Sequence, residues 1–297
     1  MTKRGRQVTR ALLRRLPLPQ PADGDDKDER GRVLVIGGSA ATPGAILLAG
    51  VAALRAGAGK LQIATVSSVV AALGVAVPES LVVALAETRG GEIAGESAAR
   101  KLRARAESAD CVVVGPGMMS ERSARALVRG IAPRLDSAAV FVLDAAAIPA
   151  LHSDMKLLSP LDGRAVLTPH AGEMAALLGV AREKIERDAA AFATDAARRF
   201  GTVVALKGAE SWIATPAGSL FRYSGGSVGL ATSGSGDTLA GVIAGLAARG
   251  ATAERAALWG AYLHGAAGRI LARRIGRIGF LARELLDEIP PLLERLR

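Results

Sequence analysis

The sequence is poor in cysteine and in aromatic residues. It contains one cysteine among 297 residues, and aromatic side chains make up only 3% of the chain. A single cysteine forms neither an intrachain disulfide nor a cysteine-based zinc cluster, and we predict that Cys111, in the apolar run CVVVG, is a small buried side chain. With 35 glycines and so few aromatics, the core must consist of Ala, Val, Leu and Ile, which favours a helix-covered parallel sheet over an all-β sandwich.

The sequence also lacks long hydrophobic runs. No stretch of 18 or more consecutive apolar residues occurs, so no membrane-spanning helix and no membrane partner are expected. The N-terminal stretch MTKRGRQVTRALLRRLPLP is basic, but it has neither a long apolar centre nor a small-residue cleavage pattern, unlike a secretory signal. We therefore expect a cytoplasmic protein.

Basic residues outnumber acidic ones, which raises the question of a nucleic-acid partner. The formal net charge is +10. The basic residues are scattered over helix-like segments, aromatic residues do not interleave with them, and no DNA- or RNA-binding signature occurs. We predict a solvated, arginine-rich surface and no nucleic-acid partner; the charge would still attract an anionic nucleotide substrate.

Short apolar segments alternate with helix-like segments from residue 31 onward. Segments such as RVLVIGG, DCVVVGPG and TVVALKG read as strands, and helices of ten or more residues separate most of them. This alternation predicts βαβ units, and hence an α/β fold with a mostly parallel central sheet and helices on both faces. We expect one catalytic domain over residues 31–297, preceded by a basic segment and linker over residues 1–30. SWIATPAGSLFRYS predicts a hairpin around residues 216–218.

The stretch LATSGSGDTLAGVIAGLAARG, residues 230–250, carries the strongest chemical signal. Glycine and serine allow backbone N–H groups to converge on an anion, and the helix that follows adds its dipole. The stretch is not a Walker loop, because no Lys-Ser/Thr pair follows Gly236. It is not a dinucleotide-binding fingerprint either, because its glycine spacing differs from G-x-G-x-x-G. Asp237 alone could be an N-cap or a base, but the bare backbone before it favours a base for phosphoryl transfer to an alcohol.

The G-[ST]-G-D pattern near the C-terminus resembles the ribokinase-like superfamily. Within it, the chain resembles the ADP/ATP-dependent NAD(P)H-hydrate dehydratases over most of residues 26–290. The resemblance implies a ribokinase-like three-layer sandwich. The motifs that carry it, in order, are GGSAATPGAILLAGVAALRAGAGKL (37–61), VVVGPG (112–117), LTPHAGEM (167–174), LKGAES (206–211), AYLHGAAG (261–268) and FLARELLDEIP (280–290).

This resemblance implies a repair reaction. A hydro-lyase of this family dehydrates (6S)-NADHX and NADPHX by phosphorylating the ring hydroxyl from ADP or ATP, with Mg²⁺, and then eliminating phosphate. It implies a homotetramer that works with a separate NAD(P)H-hydrate epimerase. The alternatives are a ribokinase-like small-molecule kinase, of the hydroxyethylthiazole or hydroxymethylpyrimidine type, and a non-catalytic nucleotide- or nucleic-acid-binding protein. Preferences for ADP or ATP and for NADHX or NADPHX stay open.

The resemblance also implies roles for individual residues. Asp237 matches the base on the substrate hydroxyl. The positions that match contacts to the hydrated dinucleotide are Ala45, Gly117, His170 and Asp237. The positions that match contacts to the nucleotide and its phosphates are Lys207, Gly208, Ala209, Glu210, Ser211, Gly234, Ser235 and Gly236.

For several residues the sequence leaves two interpretations. Lys207 could also be a solvated lysine at a strand end, and Asp144 could be structural or linked to a metal. Glu173 could hold magnesium through water or cap a helix. His264 and Trp259 lie in an apolar helix, where packing is the favoured interpretation.

The chain departs from the family pattern at four positions. Ala171 replaces a proline in T-P-H-P-G-E, and Ala146 stands where a second aspartate is common. Ser227 and Val228 stand where the family often has N-P. These departures leave the base and the glycines in place, but they put in doubt how the substrate amide and ribose are held.

Overall fold

The apolar segments of the sequence form the strands of one mixed sheet. The computed structural model describes residues 5–20, 22, 24 and 26–296. Its strands, numbered along the chain, are β1 (Arg6–Gln7), β2 (Arg32–Ile36), β3 (Lys60–Val66), β4 (Ser80–Leu85), β5 (Cys111–Val114), β6 (Val140–Leu143), β7 (Ala165–Leu167), β8 (Val203–Leu206), β9 (Ser211–Ala214) and β10 (Leu220–Tyr223).

Among the described residues the strand order is β1-β10-β9-β8-β7-β6-β5-β2-β3-β4. The seven strands from β8 to β4 in this order are all parallel to one another, whereas β9 pairs antiparallel with both β8 and β10. The predicted mostly parallel sheet is therefore confirmed. The predicted hairpin is confirmed as β9–β10, and Gly218, at φ 88°, turns the chain between these strands.

Helices connect these strands and cover both faces of the sheet. Most are long enough to make the crossovers that parallel strands require. The α-helices within the described residues are α1 (Arg10–Arg15), α2 (Pro43–Arg55), α3 (Val70–Ala76), α4 (Gly95–Glu107), α5 (Glu121–Ile131), α6 (Ala171–Leu178), α7 (Arg182–Arg187), α8 (Ala189–Phe200), α9 (Ser235–Ala248), α10 (Ala253–Arg274) and α11 (Leu285–Glu294).

Side chains of a single strand enter two separate cores because successive residues point to opposite faces. In β2, Val33 and Val35 join the core beneath α2, α9, α10 and α11, whereas Leu34 and Ile36 join the core beneath α4 to α8. All four side chains are buried. The three-layer arrangement of helices, sheet and helices is thus as expected. Cys111 is also buried, as predicted.

Helices α2 and α9 approach each other closely through two glycines of α9. A Cβ added to Gly241 would lie 2.1 Å from the carbonyl oxygen of Ala49, and one added to Gly245 would lie 2.2 Å from that of Ala53. No side chain fits at either position without moving a backbone. This contact fixes the N-terminus of α9, where the Gly-Ser-Gly-Asp motif lies, beside the start of α2.

Residues before β2 also pack onto this body. Strand β1 pairs parallel to β10, and Leu12 and Leu13 of α1 are buried in the α2–α9 core. The indole nitrogen of Trp259 donates a 2.8 Å hydrogen bond to the carbonyl of Leu16. The domain boundary at residue 30 stays a prediction; residues 1–4, 21, 23 and 25 of that segment lie outside the described residues. No helix in the described part of the chain is long and apolar enough to cross a membrane.

Candidate active site

Five chemically distinctive residues follow directly on parallel strands. Gly37, Gly115, Asp144, Thr168 and Lys207 come after β2, β5, β6, β7 and β8, respectively. Because the strands are parallel, these residues lie along one edge of the sheet. This carboxyl edge is where α/β sheets bind ligands, and the N-terminus of α9 lies over it.

The first turn of α9 is built on a glycine. Gly234 is the N-cap, with φ 85° and no side-chain cap, and a Cβ there would lie 2.4 Å from Cδ1 of Leu48. The N-cap interpretation of Asp237 is therefore wrong: this residue is the third of the helix, inside its first turn. The first N–H groups of a helix have no intrahelical acceptors. The N–H of Ser235 bonds to the carbonyl of Thr232, at 3.3 Å, whereas those of Gly234 and Gly236 are available to an anion.

A buried ion pair lies at the same edge. The ammonium of Lys207 donates a 2.8 Å hydrogen bond to Oδ1 of Asp144, and the hydroxyl of Thr168 donates a 2.6 Å bond to the same oxygen. The Asp144 side chain is only 3% exposed and that of Lys207 19%. The interpretation of Lys207 as a solvated lysine is thus wrong. Asp144 takes part in a structural ion pair, and its link to a metal stays a prediction. Glu173 Oε2 lies 3.8 Å from the same ammonium.

Lys207 lies next to the Gly-Ser-Gly turn. A Cβ added to Gly236 would be 3.1 Å from Nζ of Lys207 and 4.0 Å from Oδ2 of Asp144. A side chain at position 236 would therefore press on the ammonium, whereas glycine leaves the space between the helix N-terminus and Lys207 open. A phosphoryl group in this space would meet the positive end of the helix dipole and a lysine charge together.

Electrostatics distinguish Asp237 from the other carboxylates. Burial raises the pKa of Asp237 to about 7, the negative charge of Asp144 adds to this effect, and the charge of Lys207 opposes it. Burial alone would lower the pKa of Lys207, but the charges of Asp144 and Glu173 outweigh it and raise that pKa. A carboxylate with a pKa near neutrality is suited to accept a proton, and the lysine stays cationic.

His170 and Glu173 form a capping box at the start of α6. Nδ1 of His170 accepts hydrogen bonds from the backbone N–H groups of Gly172, at 2.9 Å, and Glu173, at 3.2 Å. The Glu173 carboxylate accepts a 2.8 Å bond from the His170 N–H. The capping interpretation of Glu173 is confirmed. Because Nδ1 is an acceptor here, Nε2 is the donor of the His170 ring, and it lies 3.3 Å from Oε1 of Glu173.

The described residues at this edge do not form a set of side-chain ligands for magnesium. Within residues 5–20, 22, 24 and 26–296, no group of three or more His, Cys, Asp or Glu side chains is placed to hold a metal ion. The carboxylates of Asp144 and Glu173 converge on the ammonium of Lys207 instead. The residues do not fit a protein-chelated ion, and a role for Glu173 toward magnesium stays a prediction.

The structure brings Ala45 and Gly117 together. Gly117 has φ 69°, and a Cβ there would lie 2.9 Å from Cβ of Ala45 and 2.7 Å from the carbonyl oxygen of Thr42. The hydroxyl of Thr42 donates a 2.7 Å bond to the Gly117 carbonyl. The loops after β2 and β5 therefore form one surface on the same sheet edge, as contact with a common substrate requires.

The predicted nucleotide segment, residues 207–211, joins β8 to β9. Gly208 and Ala209 are exposed in the turn, and Glu210 forms a 3.3 Å ion pair with Arg222 of β10. Ser211 begins β9. Apart from Lys207, these residues lie outside the ion-pair cluster, and their contacts with a nucleotide stay a prediction.

The departures from the family pattern lie around the same edge. Ala146 is in the short 3₁₀ turn that follows Asp144, and Ala171 is the first residue of α6. The hydroxyl of Ser227 accepts a 3.4 Å bond from the N–H of Gly229, and Val228 is exposed. None of these residues replaces a member of the ion-pair cluster.

Sequence reasoning missed a contact between α10 and the start of α9. Nε2 of His264, in α10, lies 2.9 Å from the hydroxyl of Ser235, although packing was the favoured interpretation of His264. The sequence signal was a polar histidine in an otherwise apolar helix, but nothing in the sequence shows which residue faces it. Trp259, in contrast, serves packing as expected, through its bond to Leu16.

Comparisons with known proteins identify the family. The family model described as NAD(P)H-hydrate dehydratase matches residues 33–291. The ADP-dependent (S)-NAD(P)H-hydrate dehydratase of Xanthomonas campestris pv. campestris is 51% identical over 99% of this chain and 98% of its own length.

Solved structures show the same fold. A ribokinase-like superfamily protein of Enterococcus faecalis matches with a TM-score of 0.83 at 26% identity, over 98% of this chain and 96% of its own. The ADP/ATP-dependent NAD(P)H-hydrate dehydratase of Bacillus subtilis, co-crystallised with ATP and Mg²⁺, matches with a TM-score of 0.81 at 28% identity, over 99% and 100% of the two chains. The chain therefore has the ribokinase-like fold and belongs to the NAD(P)H-hydrate dehydratase family.

Proposed function

We propose that this protein restores NADH and NADPH from their (6S)-hydrates, with ADP or ATP as the phosphoryl donor. The observation that carries the proposal is the position of Asp237. Its carboxylate, with a pKa raised to about 7, lies in the first turn of a glycine-capped helix beside the ammonium of Lys207.

In the first step, Asp237 accepts the proton of the ring hydroxyl. The hydroxyl oxygen forms a bond to the terminal phosphorus of the donor, and the bond from that phosphorus to its bridging oxygen breaks, leaving AMP from ADP or ADP from ATP. The transition state of such a transfer is loose, so catalysis depends on positioning and on neutralising charge. The N–H groups of Gly234 and Gly236 and the ammonium of Lys207 supply this neutralisation.

In the second step, phosphate leaves. The ring nitrogen donates its electron pair as the carbon–oxygen bond breaks. The adjacent ring carbon then loses a proton to the departing phosphate, which restores the double bond. Hydroxide is a poor leaving group whereas phosphate is a good one, so phosphorylation makes the elimination feasible. Nicotinamide nucleotide repair accounts for the presence of both a base and an anion site.

We assign the substrate side to Ala45, Gly117 and His170. Three observations support this. Ala45 and Gly117 are in contact, and the backbones of His170 and Lys207 form a parallel β-bridge. Each of the three assigned residues also follows the carboxyl end of a strand. Residues 207–211 are assigned to the nucleotide. Dependence on Mg²⁺, a homotetramer and a separate epimerase stay predictions.

The test is a turnover assay with hydrated NADH, magnesium and each donor in turn. We expect the absorbance of the reduced nicotinamide to return, with one AMP formed per NADH when ADP is the donor. A small-molecule kinase would instead accumulate a stable phosphoester on a thiazole or pyrimidine alcohol. If that product accumulates and hydrated NADH is not converted to NADH with either ADP or ATP, the proposal is overturned.

A further inference from the structure

The segment that leads into α9 has little regular structure of its own. Between the end of β10 at Tyr223 and the start of α9 at Ser235, the chain forms only one short 3₁₀ turn. It contains four glycines, at positions 225, 226, 229 and 234. Glycine-rich backbone has high conformational entropy when it is free, so the geometry of this turn depends on contacts from outside it.

Helix α10 supplies such contacts along its length. It runs from Ala253 to Arg274, and most of its residues are buried. A Cβ added to Gly265 would lie 2.2 Å from the ring of Tyr223, and one added to Gly268 would lie 2.6 Å from Leu230. The helix is therefore packed against both the end of β10 and the segment that follows.

His264 forms the polar contact between this helix and the anion loop, residues 234–236. Its Nε2 lies 2.9 Å from Oγ of Ser235, the first residue of α9, which is only 3% exposed. Burial lowers the pKa of His264 to about 4, against the opposing effect of a hydrogen bond to the Ser235 backbone. The imidazole is therefore neutral near pH 7 and contributes a directed hydrogen bond rather than a charge.

We propose that His264 is a positioning residue for the anion loop. Its hydrogen bond to Ser235 holds the first turn of α9 in the orientation that presents the N–H groups of the loop and the Asp237 carboxylate to one phosphoryl group. The inference rests on the proposed function in that the phosphoryl group is taken to be the one transferred. His264 acts through Ser235 and does not touch the substrate.

The test compares His264→Leu with His264→Gln. Leucine fills the space without a hydrogen bond, whereas the glutamine amide places a polar group near the position of Nε2. Because a small misplacement of a catalytic group has a large cost, we expect His264→Leu to lower kcat by about 10- to 100-fold, with KM for the hydrated dinucleotide changed less than about threefold. His264→Gln should recover most of this loss.

Ser235→Ala provides the matched partner. It should lower kcat by a similar factor, and the double variant His264→Leu/Ser235→Ala should be no slower than the slower single variant, because both changes remove one bond. Multiplying effects, or a Ser235→Ala variant with full activity, would overturn the proposal. Either result would show that His264 only packs.

A binding measurement separates this proposal from the proposed function. In calorimetry, His264→Leu should weaken the binding of ADP more than the binding of AMP, because only ADP places a second phosphate toward the anion loop. This difference does not require any turnover of hydrated NADH. Equal loss for both nucleotides would contradict positioning of the loop, whereas a selective loss without dehydratase activity would contradict only the assigned reaction.

Discussion

Lys207 and Asp144 form a 2.8 Å ion pair between the ends of β8 and β6, and Asp144 is almost completely buried. Thr168, at the end of the intervening strand β7, donates to the same carboxylate oxygen. Three adjacent strands thus aim one ammonium at the N-terminus of α9. The ion pair holds the ammonium of Lys207 at the anion site, and variants of the two residues measure its contribution to the free energy of unfolding.

Breaking this pair from one side should destabilise the protein. Lys207→Met leaves the buried Asp144 carboxylate without its cation, and Asp144→Asn leaves the ammonium with only the more distant Glu173, at 3.8 Å, so each should lower the free energy of unfolding by about 3 kcal/mol. The double variant should lose less than the sum of the two. Guanidinium unfolding measures all three, and additive losses would contradict a direct coupling. Glu186→Gln, which breaks the exposed 2.8 Å pair with Arg182, is the control and should cost less than about 1 kcal/mol.

Asp237→Asn should abolish turnover while nucleotide binding persists. The amide keeps the shape of the side chain but cannot accept the hydroxyl proton, and loss of a general base costs about 10²- to 10⁴-fold in kcat. The absorbance of reduced nicotinamide measures turnover, and calorimetry measures ADP affinity. Asp195→Asn, on the exposed face of α8, is the matched control and should keep full activity. Unchanged turnover in Asp237→Asn would remove the assignment of the base.

The rate should depend on the protonation of Asp237. The base works when deprotonated, so kcat/KM should rise with pH and level off above about 7, the pKa to which burial and Asp144 raise this carboxyl group. The charge of Lys207 lowers the pKa of Asp237, so Lys207→Met should raise that pKa. The residual activity of this variant should therefore rise at higher pH than the activity of the parent. If the rising part of the pH–rate profile of Lys207→Met stays at the parent's pH, or moves to lower pH, another group controls the rate.

His170 should separate a capping role from a binding role. His170→Ala removes the acceptor for two backbone N–H groups of α6 and should cost about 1 kcal/mol of stability. His170→Asn keeps an acceptor at the N-cap, so its stability should match that of the parent. Both variants should raise KM for the hydrated dinucleotide, because both lose Nε2. A parental KM in a stable His170→Asn variant would leave His170 with capping alone.

Gly241 should be intolerant of even one methyl group. In Gly241→Ala the new Cβ would lie 2.1 Å from a backbone oxygen of α2, and overpacking of this kind costs about 1–3 kcal/mol. Gly74→Ala in α3 is the control, since its nearest contact would be an ordinary 4.0 Å, and alanine should stabilise that helix by about 0.5–1 kcal/mol. Equal thermal midpoints for the two variants would contradict the close packing of α2 on α9.

The fold was predictable from local pattern. Strand-like apolar segments separated by helices dictate parallel pairing, because a crossover of that length cannot return as a hairpin. Asp144, Thr168 and Lys207 directly follow apolar strand segments in the sequence, so the same pattern places them at strand ends. Their mutual contact does not follow from this pattern, since strand order in the sheet decides which ends are neighbours, and β6, β7 and β8 lie side by side only once the whole sheet is assembled.

Residue types at fixed spacing along one chain were enough to predict the α/β class, the family and the position of the Gly-Ser-Gly-Asp motif. Tertiary structure alone decided that Gly234 caps α9, that Lys207 is buried against Asp144, and that His264 meets Ser235. Each of these is a contact or a backbone angle set by elements far apart in the chain. The pKa of Asp237 belongs with them, because burial and neighbouring charge exist only after folding.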